Sequence, residues 1–71
     1  MPSPIVHITV NGDPHQIAAG ATVAELLEQL DAQPRRVAVE VNLQIVPRAQ
    51  HADQKLDDGD RVEIVTLVGG G

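Results

Sequence analysis

The segment RVEIVTLV, residues 61–68, is the most apolar stretch of the chain and decides which fold the chain can adopt. Its alternating pattern predicts a strand with two different faces. The face expected to pack against a helix carries Val62, Ile64 and Thr66. The opposite face carries Arg61, Glu63, Val65 and Leu67. Because the segment is so apolar, we expect it to be inserted in the middle of a sheet, between the first and third predicted strands.

A hairpin is predicted near the other end of the chain, where residues 5–10 alternate as a half-buried strand. Asn11-Gly12 follows at once, and this dipeptide tolerates the positive φ angles of a two-residue type I′ turn. The chain should therefore return along residues 15–18 as a second strand. Pro14 has no backbone N–H donor, which predicts that the returning strand lies at an edge of the sheet.

A single helix is predicted after the hairpin. Thr22 and Glu25 have the spacing of a capping box, in which each side chain accepts a hydrogen bond from the other residue's backbone N–H. An apolar stripe at helical spacing is formed by Val23, Leu26, Leu27 and Leu30. Pro34 disfavours helical geometry in the residue before it, so the helix should end near Asp31.

The remaining elements complete an α+β fold. A third strand is predicted at residues 37–41, and a turn at 42–44 leads to a brief fourth strand at 45–46. Residues 48–56 are polar and aperiodic, which predicts a loop with one helical turn around Leu56. Asp57-Asp58-Gly59-Asp60 is a turn before the last strand. We expect a ubiquitin-like β-grasp domain over residues 1–68, with a mixed five-stranded sheet and one main helix packed on one face.

Composition excludes several classes of function. The 71 residues carry ten acidic and five basic side chains, and the net charge of −5 argues against nucleic-acid and membrane-surface partners. Cysteine and aromatic residues are absent, which excludes disulfides, thiolate chemistry and base-stacking platforms. A domain this small has little room for a substrate cavity. With no leader-like or membrane-spanning segment in the sequence, we expect a cytoplasmic protein.

No metal site is predicted. The three histidines fall on different parts of the expected fold, namely His7, His15 and His51, which places their rings apart. The acidic turn at residues 57–60 lacks the twelve-residue spacing and the closing bidentate glutamate of a calcium loop.

The chain ends Leu67-Val68-Gly69-Gly70-Gly71, so a strand runs directly into three glycines. Three extended residues reach about 10 Å, and without Cβ atoms they can enter a slot too narrow for other residues. We predict that residues 69–71 form a flexible tail, in which Gly69 and Gly70 fit a partner's channel. The carboxylate of Gly71 would then reach the active site of that partner.

Three further side chains are candidates for partner binding. Val65 and Leu67 are large aliphatic residues on the face away from the helix, next to the tail, where a partner holding the tail would dock. The alternative is that they lie under the loop formed by residues 48–56. Arg48 is a candidate for contact with an acidic partner surface.

Four features of the sequence occur together: the helix start TVAELL at residues 22–27, VNLQIVPR at 41–48, DGD at 58–60, and the terminal glycines. Over essentially the full length, this combination resembles the ThiS family of sulfur carriers in thiamin biosynthesis. The VNLQIVPR segment with the Gly-Gly end is fairly specific, whereas the other two motifs occur across many ubiquitin-like proteins. Family members often carry an aromatic residue a few positions after Pro-Arg. Here Gln50-His51 stands there, so an aromatic partner contact from that loop is not expected.

The resemblance implies a protein co-substrate and not an enzyme. In the family, an E1-like adenylyltransferase of the ThiF type uses ATP to form an acyl-adenylate on the last glycine, here Gly71. A sulfur donor displaces AMP and leaves a thiocarboxylate, which passes its sulfur to thiazole synthase of the ThiG type. Activation is needed because a C-terminal carboxylate is ionised at neutral pH and is a poor electrophile. The carrier itself is expected to bind no cofactor.

Three other functions remain open from the residues alone. A carrier of the type found as the small subunit of molybdopterin synthase shares the tail and the mechanism, although such carriers are usually somewhat longer. A ubiquitin-like protein modifier uses the same acyl activation but transfers the tail to a lysine amine. A regulatory β-grasp module that binds RNA or a nucleotide is the alternative outside the carriers, and the acidic charge and lack of aromatic residues count against it.

Overall fold

The computed structural model describes residues 4–68, and it contains the predicted strands and helix in the predicted order. The strands are β1 (Ile5–Val10), β2 (Asp13–Ala18), β3 (Val37–Val41), β4 (Gln44–Val46) and β5 (Arg61–Thr66). The helix α1 spans Val23–Gln29, and two single turns of 3-10 helix lie at Pro34–Arg36 and Arg48–Gln50. The tail predicted at residues 69–71 lies outside the described residues.

The last strand lies in the middle of the sheet, as predicted. The strand order is β2-β1-β5-β3-β4, with β5 parallel to β1 and antiparallel to β3. The pairing of β5 with β3 runs from Val41 opposite Val62 to Val37 opposite Thr66, whereas its parallel pairing with β1 includes only two residue pairs. A mixed five-stranded sheet with one packed helix confirms the β-grasp prediction.

Side chains lengthen the short pairing between β1 and β5. Asn11 occupies the first turn position with φ of 52°, where its side-chain oxygen accepts a hydrogen bond from the Ile64 N–H at 2.8 Å. Its side-chain nitrogen donates to the Ile64 carbonyl at 3.1 Å. At the other end of the pairing, the His7 N–H donates to the Asp58 carboxylate at 2.8 Å. The carboxamide of Asn11 therefore replaces a strand residue opposite β5.

A second asparagine acts in the same way on the β3 side. Asn42, also with φ near 52°, donates its backbone N–H to the Arg61 carbonyl and accepts from the Arg61 N–H on its side-chain oxygen. Its side-chain nitrogen donates to Asp60 at 2.9 Å. The Asp60 carboxylate also accepts from the Asp57 N–H, so the acidic turn uses its carboxylates as acceptors for local donors.

The helix begins and ends close to the predicted positions. Thr22 and Glu25 form the capping box, and Val23, Leu26 and Leu27 are buried against the sheet. Leu30, predicted as part of the buried stripe, is instead 37% exposed. The reason is that the helix ends at this residue and Asp31, with φ of 56°, turns the chain away in a Schellman-type cap.

The prediction for the loop at residues 48–56 is partly wrong. Its helical turn lies at Arg48–Gln50 and not around Leu56, which is buried in extended chain. The loop is held because it accepts hydrogen bonds from the start of α1: the Val23 N–H donates to the Gln54 carbonyl and the Ala24 N–H to the His51 carbonyl. These donors have no partner within the helix, so the loop satisfies them.

We expect Asn11→Gly to lower the free energy of unfolding by about 1–2 kcal/mol, because it keeps the positive φ but removes two hydrogen bonds to Ile64. Urea denaturation measures the change. Asp31→Gly is the matched control: this residue also has positive φ, but its side chain has no hydrogen bond to another described residue. The control should be as stable as the parent or more stable. Equal stability of the two variants would contradict a bonding role for the Asn11 carboxamide.

Candidate functional site

The outer face of the sheet, opposite α1, exposes the two aliphatic residues predicted there. Val65 is 58% exposed and Leu67 is 55% exposed. The loop at residues 48–56 packs at the start of α1, so the alternative that it covers them is wrong. Thr66, expected to face the helix, is also exposed, because it lies beyond the part of the sheet that the helix covers.

Ile45 belongs to the same surface and was not recognised from the sequence. It is 72% exposed and pairs with Glu40, which lies two residues along β3 from Ala38, the partner of Val65. We call Ala38, Ile45, Val65 and Leu67 the outer apolar patch. The alternation of side chains along β4 places Ile45 on the face opposite the buried Val46.

Acidic residues border the outer apolar patch. Glu40 and Glu63 lie directly opposite each other on β3 and β5, on the same face as Val65. Neither forms an ion pair with another described residue. A partner surface that covers the patch therefore meets two adjacent negative charges beside it.

The chain leaves the sheet next to the turn that precedes β3. The Leu67 N–H donates to the Arg36 carbonyl at 2.8 Å, which continues the pairing of β5 with β3 beyond the last strand residue. Arg48 and Arg35 line a shallow groove of about 370 Å³ beside this turn, together with Gln33 and Pro34. Arg48 is exposed and forms no ion pair with a described residue, so its guanidinium is available to an acidic group. The predicted acyl site Gly71, and Gly69 and Gly70, lie outside the described residues.

The histidines are separated in the structure. His7 lies on the outer face with its Nδ1 3.6 Å from an Asp58 carboxylate oxygen. His15 lies on β2, where it pairs with Ile8 of β1. His51 is only 4% exposed, and its Nε2 lies 3.2 Å from the Val46 carbonyl. Across residues 4–68, no cluster of three or more potential ligand side chains could hold a metal ion.

Comparison with known proteins identifies the family. Residues 8–71 match the model of the ThiS family. The chain belongs to the ThiS family. This finding confirms the resemblance inferred from the helix start, the VNLQIVPR segment and the glycine tail.

Two kinds of relative are similar to this ThiS-family chain. The sulfur carrier protein ThiS of Escherichia coli is 44% identical over 66 residues, which cover 93% of this chain and the whole of that protein. A thiazole synthase of Paramagnetospirillum magneticum is also 44% identical, over 64 residues covering 90% of this chain. The chain spans only 20% of that longer protein. Because the full-length relative is named as a carrier, the prediction of a carrier protein and not an enzyme is confirmed for the family.

A solved structure shows the same fold. The crystal structure of the thiamine biosynthesis protein ThiS from Geobacter metallireducens superposes with a TM-score of 0.80 at 38% identity. The match covers 93% of this chain and all of that one. Within the described residues, α1 is far too short to cross a bilayer, and no other helix qualifies.

His51, a few residues after Pro47-Arg48, occupies an internal packing position in this fold. We expect His51→Ala to lower the free energy of unfolding by about 2–4 kcal/mol, since it leaves a cavity in the core. His51→Phe keeps a ring there but loses the Nε2 contact with the Val46 carbonyl, so it should be destabilised less than the Ala variant. Thermal and urea denaturation measure both variants, with Gln50→Ala on the exposed neighbour as control. A stable Ala variant would show that the ring is not part of the core.

Proposed function

We propose that this ThiS-family protein carries sulfur for thiazole formation in thiamin biosynthesis, on a thiocarboxylate at Gly71. The observation that carries the proposal is the match to a full-length relative named sulfur carrier protein ThiS. A second such relative, from Thermus thermophilus, is 36% identical over 98% of its own length. These matches favour thiazole synthesis over a molybdopterin-synthase subunit, a protein modifier or a regulatory module.

The proposed chemistry takes place on the main chain. An E1-like adenylyltransferase of the ThiF type would use ATP to convert the Gly71 carboxylate to an acyl-adenylate, with release of pyrophosphate. A sulfur donor would then displace AMP and leave the terminal thiocarboxylate. The absence of cysteine in the sequence is compatible with this route, because no side chain has to hold the sulfur.

Thiazole synthase is the proposed acceptor of the sulfur. Relatives of this name from two organisms, Paramagnetospirillum magneticum and Magnetococcus marinus, contain a segment similar to this chain. A carrier and its acceptor that occur in one polypeptide act on each other at high effective concentration. We infer that this chain binds a thiazole synthase of the ThiG type.

The outer apolar patch is the proposed docking surface for these partners. It adjoins the point where β5 leaves the sheet, so a partner that buries Val65 and Leu67 would also be close to the tail. Burial of such residues stabilises a complex by about 25 cal/mol per Å². Arg48 lies near the same point and is proposed to contact an acidic residue of a partner.

Replacement of both Val65 and Leu67 by Glu should leave the fold intact, because neither side chain packs in the core. The double variant should bind the activating enzyme or thiazole synthase more weakly by about 2 kcal/mol or more if these residues form a hot spot. Circular dichroism and calorimetric titration measure the two effects. Gln16→Glu with Ala18→Glu is the control, since it adds two charges to exposed positions on β2. A native double variant with undiminished binding to both enzymes would rule out docking through these residues.

Deletion of Gly71 should abolish thiocarboxylate formation with the activating enzyme, ATP and a sulfur source.

Gly70→Ala should fold normally and react slowly, because a Cβ atom obstructs a channel fitted to bare backbone. Intact-protein mass spectrometry follows the reaction as the replacement of one oxygen by sulfur. Formation of thiocarboxylate at the full rate without Gly71 would refute the proposed acyl site, and unchanged adenylation of the Ala variant would refute the narrow channel.

A further inference from the structure

The backbone of β5 has one edge that the sheet leaves open. Hydrogen bonds from Leu67 to Arg36 and from Asn42 to Arg61 show that odd-numbered residues of β5 direct their N–H and C=O groups toward β3. Even-numbered residues therefore direct theirs toward β1. Val62 and Ile64 find partners there, on the backbone and side chain of Asn11. Thr66 is the next even-numbered residue, and β1 has already ended.

Among residues 4–68, the N–H and the C=O of Thr66 therefore have no partner on this side. The parallel pairing with β1 ends at Val10 opposite Val62, and the Asn11 carboxamide extends it only as far as Ile64. Thr66 is exposed and forms no hydrogen bond on this side with any residue between 4 and 68. The open edge therefore lies at the C-terminal end of β5.

The outermost strands of the sheet are protected in ways that β5 is not. By the hairpin pairing, the free edge of β2 includes Pro14, which has no N–H to offer another strand. β4 is only three residues long and is followed by Pro47. Short edges and proline are the usual means by which proteins prevent unwanted strand addition. The end of β5 carries neither.

We infer that an extended segment of thiazole synthase adds to β5 at Thr66, as a strand on the side that β1 leaves open. This inference rests on the proposed function, which supplies the partner. Strand addition gains affinity from main-chain hydrogen bonds and specificity from alternate side chains. Alternate side chains of the added strand would contact Val65 and Leu67, which are 58% and 55% exposed and belong to the outer apolar patch. The added strand thus continues the proposed docking surface and aligns the partner with the direction of β5.

Thr66→Pro tests the inference directly. Proline removes the N–H that would pair with the added strand, but it leaves the pairing with β3 intact because that pairing uses Val65 and Leu67. Residue 65 is already extended, as a residue before proline must be. Thr66→Val is the matched control, since it keeps the N–H and the β-branched shape. We expect thiazole synthase to bind the Pro variant at least tenfold more weakly and the Val variant within twofold of the parent.

Hydrogen exchange of the unmodified protein provides a second measurement that does not depend on the folding of the Pro variant. In the free protein, NMR should show rapid exchange at the Thr66 amide and slow exchange at Val65. In the complex with thiazole synthase, the Thr66 amide should become protected. Continued rapid exchange of Thr66 in the complex would overturn the inference.

The remaining outcomes separate the inference from the proposed function. Undiminished binding of a folded Pro variant, together with normal thiocarboxylate formation, would overturn strand addition alone. Failure of the parent protein both to form thiocarboxylate and to bind thiazole synthase would overturn the function and the inference together. Protection of Thr66 that rises with protein concentration, without any partner, would identify a second copy of this chain as the occupant and would also overturn it.

Discussion

The fold depends on holding β5 between two strands when one of the two pairings is only two residue pairs long. Two asparagine carboxamides make this possible, one from each hairpin turn. Asn11 bonds to both backbone groups of Ile64, and Asn42 bonds to the Arg61 N–H from the opposite side. Each carboxamide has a donor and an acceptor, as a peptide group does, so it can take the place of a missing strand residue. The direction in which β5 leaves the sheet follows from these contacts.

Much of the fold could be predicted because its signals are local. The Asn11-Gly12 turn, the capping box of Thr22 and Glu25 and the alternation of residues 61–68 each depend on near neighbours in the sequence. The conformation of the loop at residues 48–56 could not be predicted from near neighbours in the sequence. It depends on hydrogen bonds to the start of α1 and on the burial of His51, and both involve residues far apart in the sequence.

The candidate site was predictable to a similar extent. Val65 and Leu67 were found because two large aliphatic residues stood on a face expected to be solvated. Ile45 was overlooked because a fourth strand of three residues is too short to establish alternation by itself. The open edge at Thr66 was not accessible from the sequence, since it depends on where β1 ends relative to β5. The family, in contrast, could be identified from short motifs because their spacing along the chain is itself distinctive.

The pair formed by Glu40 and Glu63 affects how the free and bound protein respond to ions. Like charges directly opposite each other on neighbouring strands are destabilising, and dissolved salt screens that repulsion. Salt therefore makes this part of the sheet more stable when the protein is alone. A partner that places a cationic group over the two carboxylates relieves the same repulsion, and salt then weakens the attraction. The repulsion between the two carboxylates is therefore larger in the free protein than in a complex that covers them with a cationic group.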